Sequence, residues 1–233
     1  MTNICLFEDC IASVPAVRRS AKDKQQYRNR IRRGLEIELF EGLQLDPVFG
    51  IPVVSPYRGP IPDSWTPFCH RKGNDDSGIH FFSHDYTFNS IITSPQKYVE
   101  ELKRHPAVIA PDFSQYMDMP GCVRFTNSYT NKAIAAYWQQ EGVNVIPNIT
   151  WSDPSSYEYS IAGSPSGGVV AINSNGALKY NFSKYLWLKG YDYVVSRLQP
   201  DVILRFGPKM PNELEGISVY VENEYLNRMR YGR

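Results

Sequence analysis

Ala107-Val108-Ile109-Ala110-Pro111-Asp112-Phe113-Ser114 is the stretch that decides the architecture. Four small or β-branched apolar residues, halted by a proline that has no N–H for a ladder, read as a buried strand. A carboxylate stands where that strand leaves the core. The pattern recurs along the chain. His80-Phe81-Phe82-Ser83, residues 143–149, Val169-Val170-Ala171-Ile172, Asp201-Val202-Ile203-Leu204-Arg205-Phe206 and residues 217–221 read as further strands. Between them, residues 95–104 fit a helix opened by Ser94 and Pro95. Residues 127–141 fit a second helix closed by Gly142, and residues 182–198 a third. Continuous apolar strands alternating with helices predict an α/β fold, a mostly parallel sheet with helices on both faces. About five or six such units fall short of an eight-stranded barrel, so the expectation is an open sheet or an incomplete barrel.

Upstream of this core the character changes. Tyr27, Ile31, Leu35 and Leu39 form one stripe of a helix predicted over residues 20–40, with Ser20 as its cap. Arg18, Arg19, Lys22, Lys24, Arg28, Arg30, Arg32 and Arg33 face the single acid Asp23, a local charge of +7 on a chain whose total is +1. Pro47, Pro52, Pro56, Pro60, Pro62 and Pro67 then predict an extended connection, with a short strand at 51–54. The expected division is a basic helix and proline-rich extension over 1–79, packing on an α/β core over 80–233.

A 42% hydrophobic content is enough for a sizeable core, yet no run approaches the roughly 20 apolar residues of a membrane span. Met1-Thr2-Asn3-Ile4-Cys5 has neither the charged start nor the apolar run of a secretory leader, so a cytoplasmic protein is expected. Cys5, Cys10, Cys69 and Cys122 then read as reduced thiols. Cys5, Cys10, Cys69 and His70 have poor spacing for zinc, because there is no Cys-x-x-Cys pair.

In parallel α/β folds ligands bind at the carboxyl ends of the strands. Those ends carry Ser83-His84-Asp85, Asp112 with Ser114, Asn148 with Trp151 and Asp153, Asn173-Ser174-Asn175-Gly176, and Arg205. Asp112 leads the set: a carboxylate there suits a general base, a substrate orienter or a divalent cation such as magnesium. Capping of a turn and pairing with Arg124 or Arg205 are its structural alternatives. His84, Asp85 and Asp153 are further catalytic candidates. Ser114, Asn148, Trp151, Asn173 and Arg205 are candidate ligand contacts, Arg205 as an anion clamp. The glycine-rich Gly163-Ser164-Pro165-Ser166-Gly167-Gly168 precedes a strand rather than following one, the wrong order for a phosphate loop.

The run Phe81-Phe82-Ser83-His84-Asp85-Tyr86-Thr87-Phe88, with Pro111-Asp112-Phe113-Ser114, Tyr116, Asp118-Met119-Pro120, Asn127, Tyr137-Trp138-Gln139, Gly142, Val145-Ile146-Pro147-Asn148 and Trp151-Ser152, resembles the family catalogued as domain of unknown function 4417. Gly163, Pro165, Gly167, Val169-Val170-Ala171-Ile172 and Gly176 extend the resemblance, which covers about residues 81–207. It implies a protein of bacteria, their phages and mobile elements, and implies no activity. Asn148 stands where the family more often has threonine, and Gly168 where it tends to have serine.

Three uses of the chain fit these residues. One is a hydrolase or transferase for a phosphorylated or nucleotide-like substrate at the strand ends. Another is a DNA- or RNA-binding accessory protein that uses Arg28, Arg30, Arg32 and Arg33. The third is a small-ligand binder without chemistry. No membrane partner is expected, and the oligomeric state is left open.

Overall fold

The computed structural model describes residues 40–221, apart from 73, 178, 212, 215 and 216. Among the described residues seven strands carry the fold: β1 (Trp65–Pro67), β2 (Gly78–His80), β3 (Val108–Ile109), β4 (Val145–Ile146), β5 (Val169–Asn173), β6 (Val202–Phe206) and β7 (Ser218–Val221). Every pairing between these strands is parallel, in one sheet of order β1-β2-β3-β4 and another of order β5-β6-β7. The chain beyond β4 joins the two. The Ile149 N–H donates to the Ala171 carbonyl at 3.0 Å, and the Ala171 N–H to the Pro147 carbonyl at 2.8 Å.

The strands therefore follow one another in chain order, as in a barrel. They also curl. Trp65 of β1 meets Phe206 of β6 edge to face, ring centroids 6.0 Å apart. In a flat sheet those strands would be five spacings, roughly 24 Å, from each other. Of the two expected arrangements, the incomplete barrel is the one observed.

Strand parity sorts the core. Ala107, Ile109, Ile146, Val169, Ala171, Leu204 and Phe206 point inward and pack together with Trp65 and Val221. Val108 and Val145 point outward, onto α3 (Gly121–Gln140). Val170, Ile172 and Ile203 point outward onto α5 (Asn181–Leu198). The helices lie on this outer side, and the strands' own side chains fill the inner one. Because both sides are apolar, the strands read as unbroken apolar runs rather than as alternation.

Three short helices complete the outer layer: α1 (Ser90–Thr93), α2 (Val99–Leu102) and α4 (Tyr157–Ile161). The helix expected over 95–104 is a 3-10 turn, Pro95–Tyr98, followed by α2. α3 starts at Gly121, six residues ahead of expectation, with Pro120 at its N-cap. It ends where Gly142 takes φ +90°, a left-handed turn open to glycine. Its Trp138 is fully buried and donates its indole N–H to the Pro95 carbonyl at 3.0 Å.

β1 was not expected, since three residues ending in a proline carry almost no strand signal. It pairs only with β2, which is where a proline is tolerated. The segment at 51–54 forms no strand. Pro52 makes an isolated antiparallel bridge with Leu45, and the Val54 N–H donates to the Gly163 carbonyl at 2.8 Å. The predicted helix over 20–40, with Arg28, Arg30, Arg32 and Arg33, lies outside the described residues. Among the described residues no helix is long and apolar enough to cross a membrane. Cys69 and Cys122 are free thiols.

Candidate functional site

The strand ends open on a cavity of about 520 Å³. Phe82 and Ile149 form its buried apolar base, Asp112, Thr150 and Asn173 add polar groups, and the Trp151–Trp187 pair makes a wall with ring centroids 5.4 Å apart. The exposed side chains of His84, Tyr116 and Met117 stand at the rim. Trp151 reaches its place because α5 carries Gly190 beneath it: a Cβ built there would lie 2.1 Å from the indole nitrogen.

Asp112 sits deep in this concavity, enclosed by protein yet touching the open space. Asn148 Nδ2 donates to its Oδ1 at 2.8 Å, and the Thr150 hydroxyl donates to the same oxygen; the Asn173 side chain lines the cavity beside the carboxyl. Burial raises its pKa above the ordinary carboxylate value, against those donors, which lower it, and the neighbouring Asp85 charge pushes in the same direction as burial. Asn148 is the hub: its Nδ2 also reaches the Thr150 hydroxyl at 3.0 Å and the Pro111 carbonyl at 3.3 Å. Thr150 is two residues beyond Asn148 on extended chain, so both face the same way. That i, i+2 spacing is the signal by which Thr150 was legible, although it was not singled out.

The second carboxylate is held from the β3 loop. Asp85 accepts from the Ser114 N–H at 3.1 Å and the Ser114 hydroxyl at 2.9 Å. Two amides from α3 fix that loop. Asn127 donates to the Ser114 carbonyl at 2.6 Å, and Asn131 accepts the Phe113 N–H at 2.9 Å. The His84 ring stacks on Tyr86, centroids 5.7 Å apart.

The strand-end set is thus divided. His84, Asp85, Asp112, Ser114, Asn148, Trp151 and Asn173 come together around the cavity, whereas Asp153 and Arg205 do not join it as neighbours of Asp112. Asp153 caps the 3-10 turn Pro154–Ser156 through the Ser155 N–H and pairs with Arg124 of α3 at 2.5 Å. Those hydrogen bonds and that guanidinium hold its pKa down. Arg205 lies between the inward Leu204 and Phe206, so it points outward. There it pairs with Glu213 at 2.7 Å, donates to the Gly207 carbonyl and lies 5.0 Å from the Tyr220 ring centroid. Both arginines are spoken for by carboxylates other than Asp112.

Among the described residues that line the cavity, none is lysine or arginine. Three side chains in its wall keep a buried polar atom without a hydrogen-bond partner among the described residues, Trp151 through its Nε1. Gln115 gives its Nε2 to the Thr150 carbonyl at 2.9 Å and leaves Oε1 unpaired, and Ser152 leaves Oγ unpaired. Behind the wall, Lys132 of α3 is buried against the Asn148 carbonyl at 3.3 Å and the Ser164 hydroxyl, and burial lowers its pKa to about 7. Among the described residues no group of three or more His, Cys, Asp and Glu side chains gathers to hold a metal ion.

A family model described as Domain of unknown function (DUF4417) matches residues 45–223. Two curated relatives are each named "Gene 1 protein". The one from Mycobacterium phage L5 is 32% identical over 146 residues, covering 62% of this chain and 64% of its own. The one from Mycobacterium phage D29 is 32% identical over 146 residues, covering 62% of this chain and 54% of its own. The chain thus spans less than two thirds of the length of these relatives. No solved structure matches.

Proposed function

We propose, for a chain that belongs to the DUF4417 family of domains of unknown function, that the Asp112 cavity is an acid–base site of a hydrolase or transferase acting on a nucleoside-like substrate. The observation that carries this reading is a carboxyl held by Asn148 and Thr150 inside an aromatic-walled cavity, its pKa raised by burial. A carboxyl that keeps its proton to higher pH donates it to a leaving group, and its ionised form takes one from an attacking hydroxyl or water. The charge of the neighbouring Asp85 acts on Asp112 in the same direction as burial.

The lining favours the nucleoside part of the notional substrate over its phosphate. Trp151 and Trp187 line the cavity with aromatic rings, and Asn173 and Asn175 line it with amides. The lysine- and arginine-free lining among the described residues gives an enclosed phosphate no lysine or arginine to pair with.

Incubation with a panel of nucleosides and nucleotides, read by mass spectrometry, tests this. Conversion by the native protein and none by a folded Asp112→Asn variant is expected. Equal conversion by the variant overturns the role of Asp112. Ligand recovered intact from both supports a second reading, binding without chemistry, which the double occupancy of Asp112 Oδ1 by Asn148 and Thr150 favours.

A further inference from the structure

We infer that the surface displayed by the first turns of α5 binds single-stranded nucleic acid across the mouth of the cavity. Tyr180, Phe182 and Tyr185 are 61%, 63% and 56% exposed, a cluster of large rings that packing does not explain. Lysines are interleaved with them. Lys179 lies over the Tyr180 ring at 5.3 Å and Lys189 over the Tyr185 ring at 5.9 Å. From residue 175 to residue 191 the chain has Lys179, Lys184 and Lys189 and no carboxylate.

The same helix holds this surface rigidly, because Trp187, Tyr191, Val194 and Leu198 anchor its other side in the core. Its Ser183, Leu186 and Trp187 line the cavity, so the exposed rings continue directly into the cavity wall.

Stacking rings beside cations is the chemistry that grips a single strand: every base offers a π-face, and each lysine neutralises a phosphate. The arrangement also matches the split in the cavity's own chemistry. Phosphates stay outside on the lysines, and one base enters between Trp151 and the amides. That last placement rests on the nucleoside reading above; binding to the surface does not. An anionic membrane is the competing partner for a basic aromatic helix, but such a helix carries leucine and tryptophan outward. Here Leu186 and Trp187 are turned into the protein.

Fluorescence anisotropy with a short labelled oligothymidylate and the full chain tests the proposal. Binding that weakens with salt is expected. The Tyr180→Ala/Phe182→Ala/Tyr185→Ala variant should bind about 10-fold or more weakly, since each stacked base contributes about 1–3 kcal/mol. The Lys179→Gln/Lys184→Gln/Lys189→Gln variant should reduce the salt slope by about 2. Tyr180→Phe/Tyr185→Phe, which keeps the rings, should bind as the native protein does. Anisotropy reads binding whether or not any nucleoside is converted, so failure of this surface and failure of the chemistry at Asp112 are separate outcomes. No binding at low salt overturns the proposal. So does native affinity in both α5 variants together with loss in Arg28→Gln/Arg30→Gln/Arg32→Gln/Arg33→Gln, which assigns binding to the basic N-terminal segment. Loss of binding to phosphatidylserine vesicles in the aromatic variant, with oligonucleotide binding intact, overturns it as well.

Discussion

Asn148 donates its Nδ2 to Asp112 Oδ1 at 2.8 Å, from just beyond β4 to just beyond β3. Two adjacent parallel strands thus deliver an amide and a carboxyl to one edge, and the carboxyl is raised above its ordinary pKa by the burial this brings. The pH dependence of stability expected for the site follows from that contact.

Asp112→Asn should stabilise the fold at neutral pH. The folded state holds the Asp112 proton to a higher pH than the unfolded chain does. This group's stabilising contribution is therefore fully present below the ordinary carboxylate value and is lost as pH rises through the folded value. The amide variant is neutral throughout. Its melting temperature should exceed the native one at pH 7, by roughly 2–4 °C for each kcal/mol recovered, and the gap should close toward pH 3. A variant that melts below the native protein at pH 7 would show that Asp112 is a structural anchor.

Glu213→Gln should cost about 3–5 kcal/mol in urea unfolding, because it strands the Arg205 guanidinium in the core. The two side chains are 3% and 6% exposed. Arg205→Met, which removes the buried charge itself, should cost less. Ligand binding at the cavity, per folded molecule, should be untouched by either. Loss of binding at native stability would return Arg205 to the site.

Gly190→Ala should destabilise the protein despite alanine's better helix propensity, worth about 1 kcal/mol in an exposed helix. The new Cβ would meet Trp151 Nε1 at 2.1 Å. Trp151 must then leave the cavity wall, which a shift in tryptophan fluorescence would report together with weaker ligand binding. A more stable Gly190→Ala protein with native fluorescence would contradict the packing described.

Lys132 should make stability climb with pH above neutrality. Burial takes its pKa from 10.5 to about 7, so the unfolded chain binds the extra proton across that window. Stability then rises with pH, by at most about 1.4 kcal/mol per pH unit for one proton. Burial raises the pKa values of Tyr57, Tyr129 and Tyr137, whose opposite contribution falls above pH 10. Urea unfolding at pH 7 and pH 9 should show the rise in the native protein and a flatter response in Lys132→Met. Parallel responses would mean that Lys132 keeps its charge when buried.

The sequence by itself determined the parallel α/β architecture and the edge on which Asp85, Asp112, Ser114, Asn148 and Asn173 meet. Apolar runs end at polar strand termini, and right-handed crossovers send all those termini the same way. That information is local in the chain, so it can be read without coordinates. Tertiary structure alone decided which of the strand-end groups touch. Arg205 turned outward to Glu213 because Leu204 and Phe206 took the inner positions of β6, and a strand apolar on both sides hides that parity. Asp153 went to Arg124, 29 residues away, and β1 became visible only once β2 paired with it. The curl that sets Trp65 against Phe206, and the Gly190 gap that admits Trp151, arise from contacts between distant segments, to which no local periodicity responds.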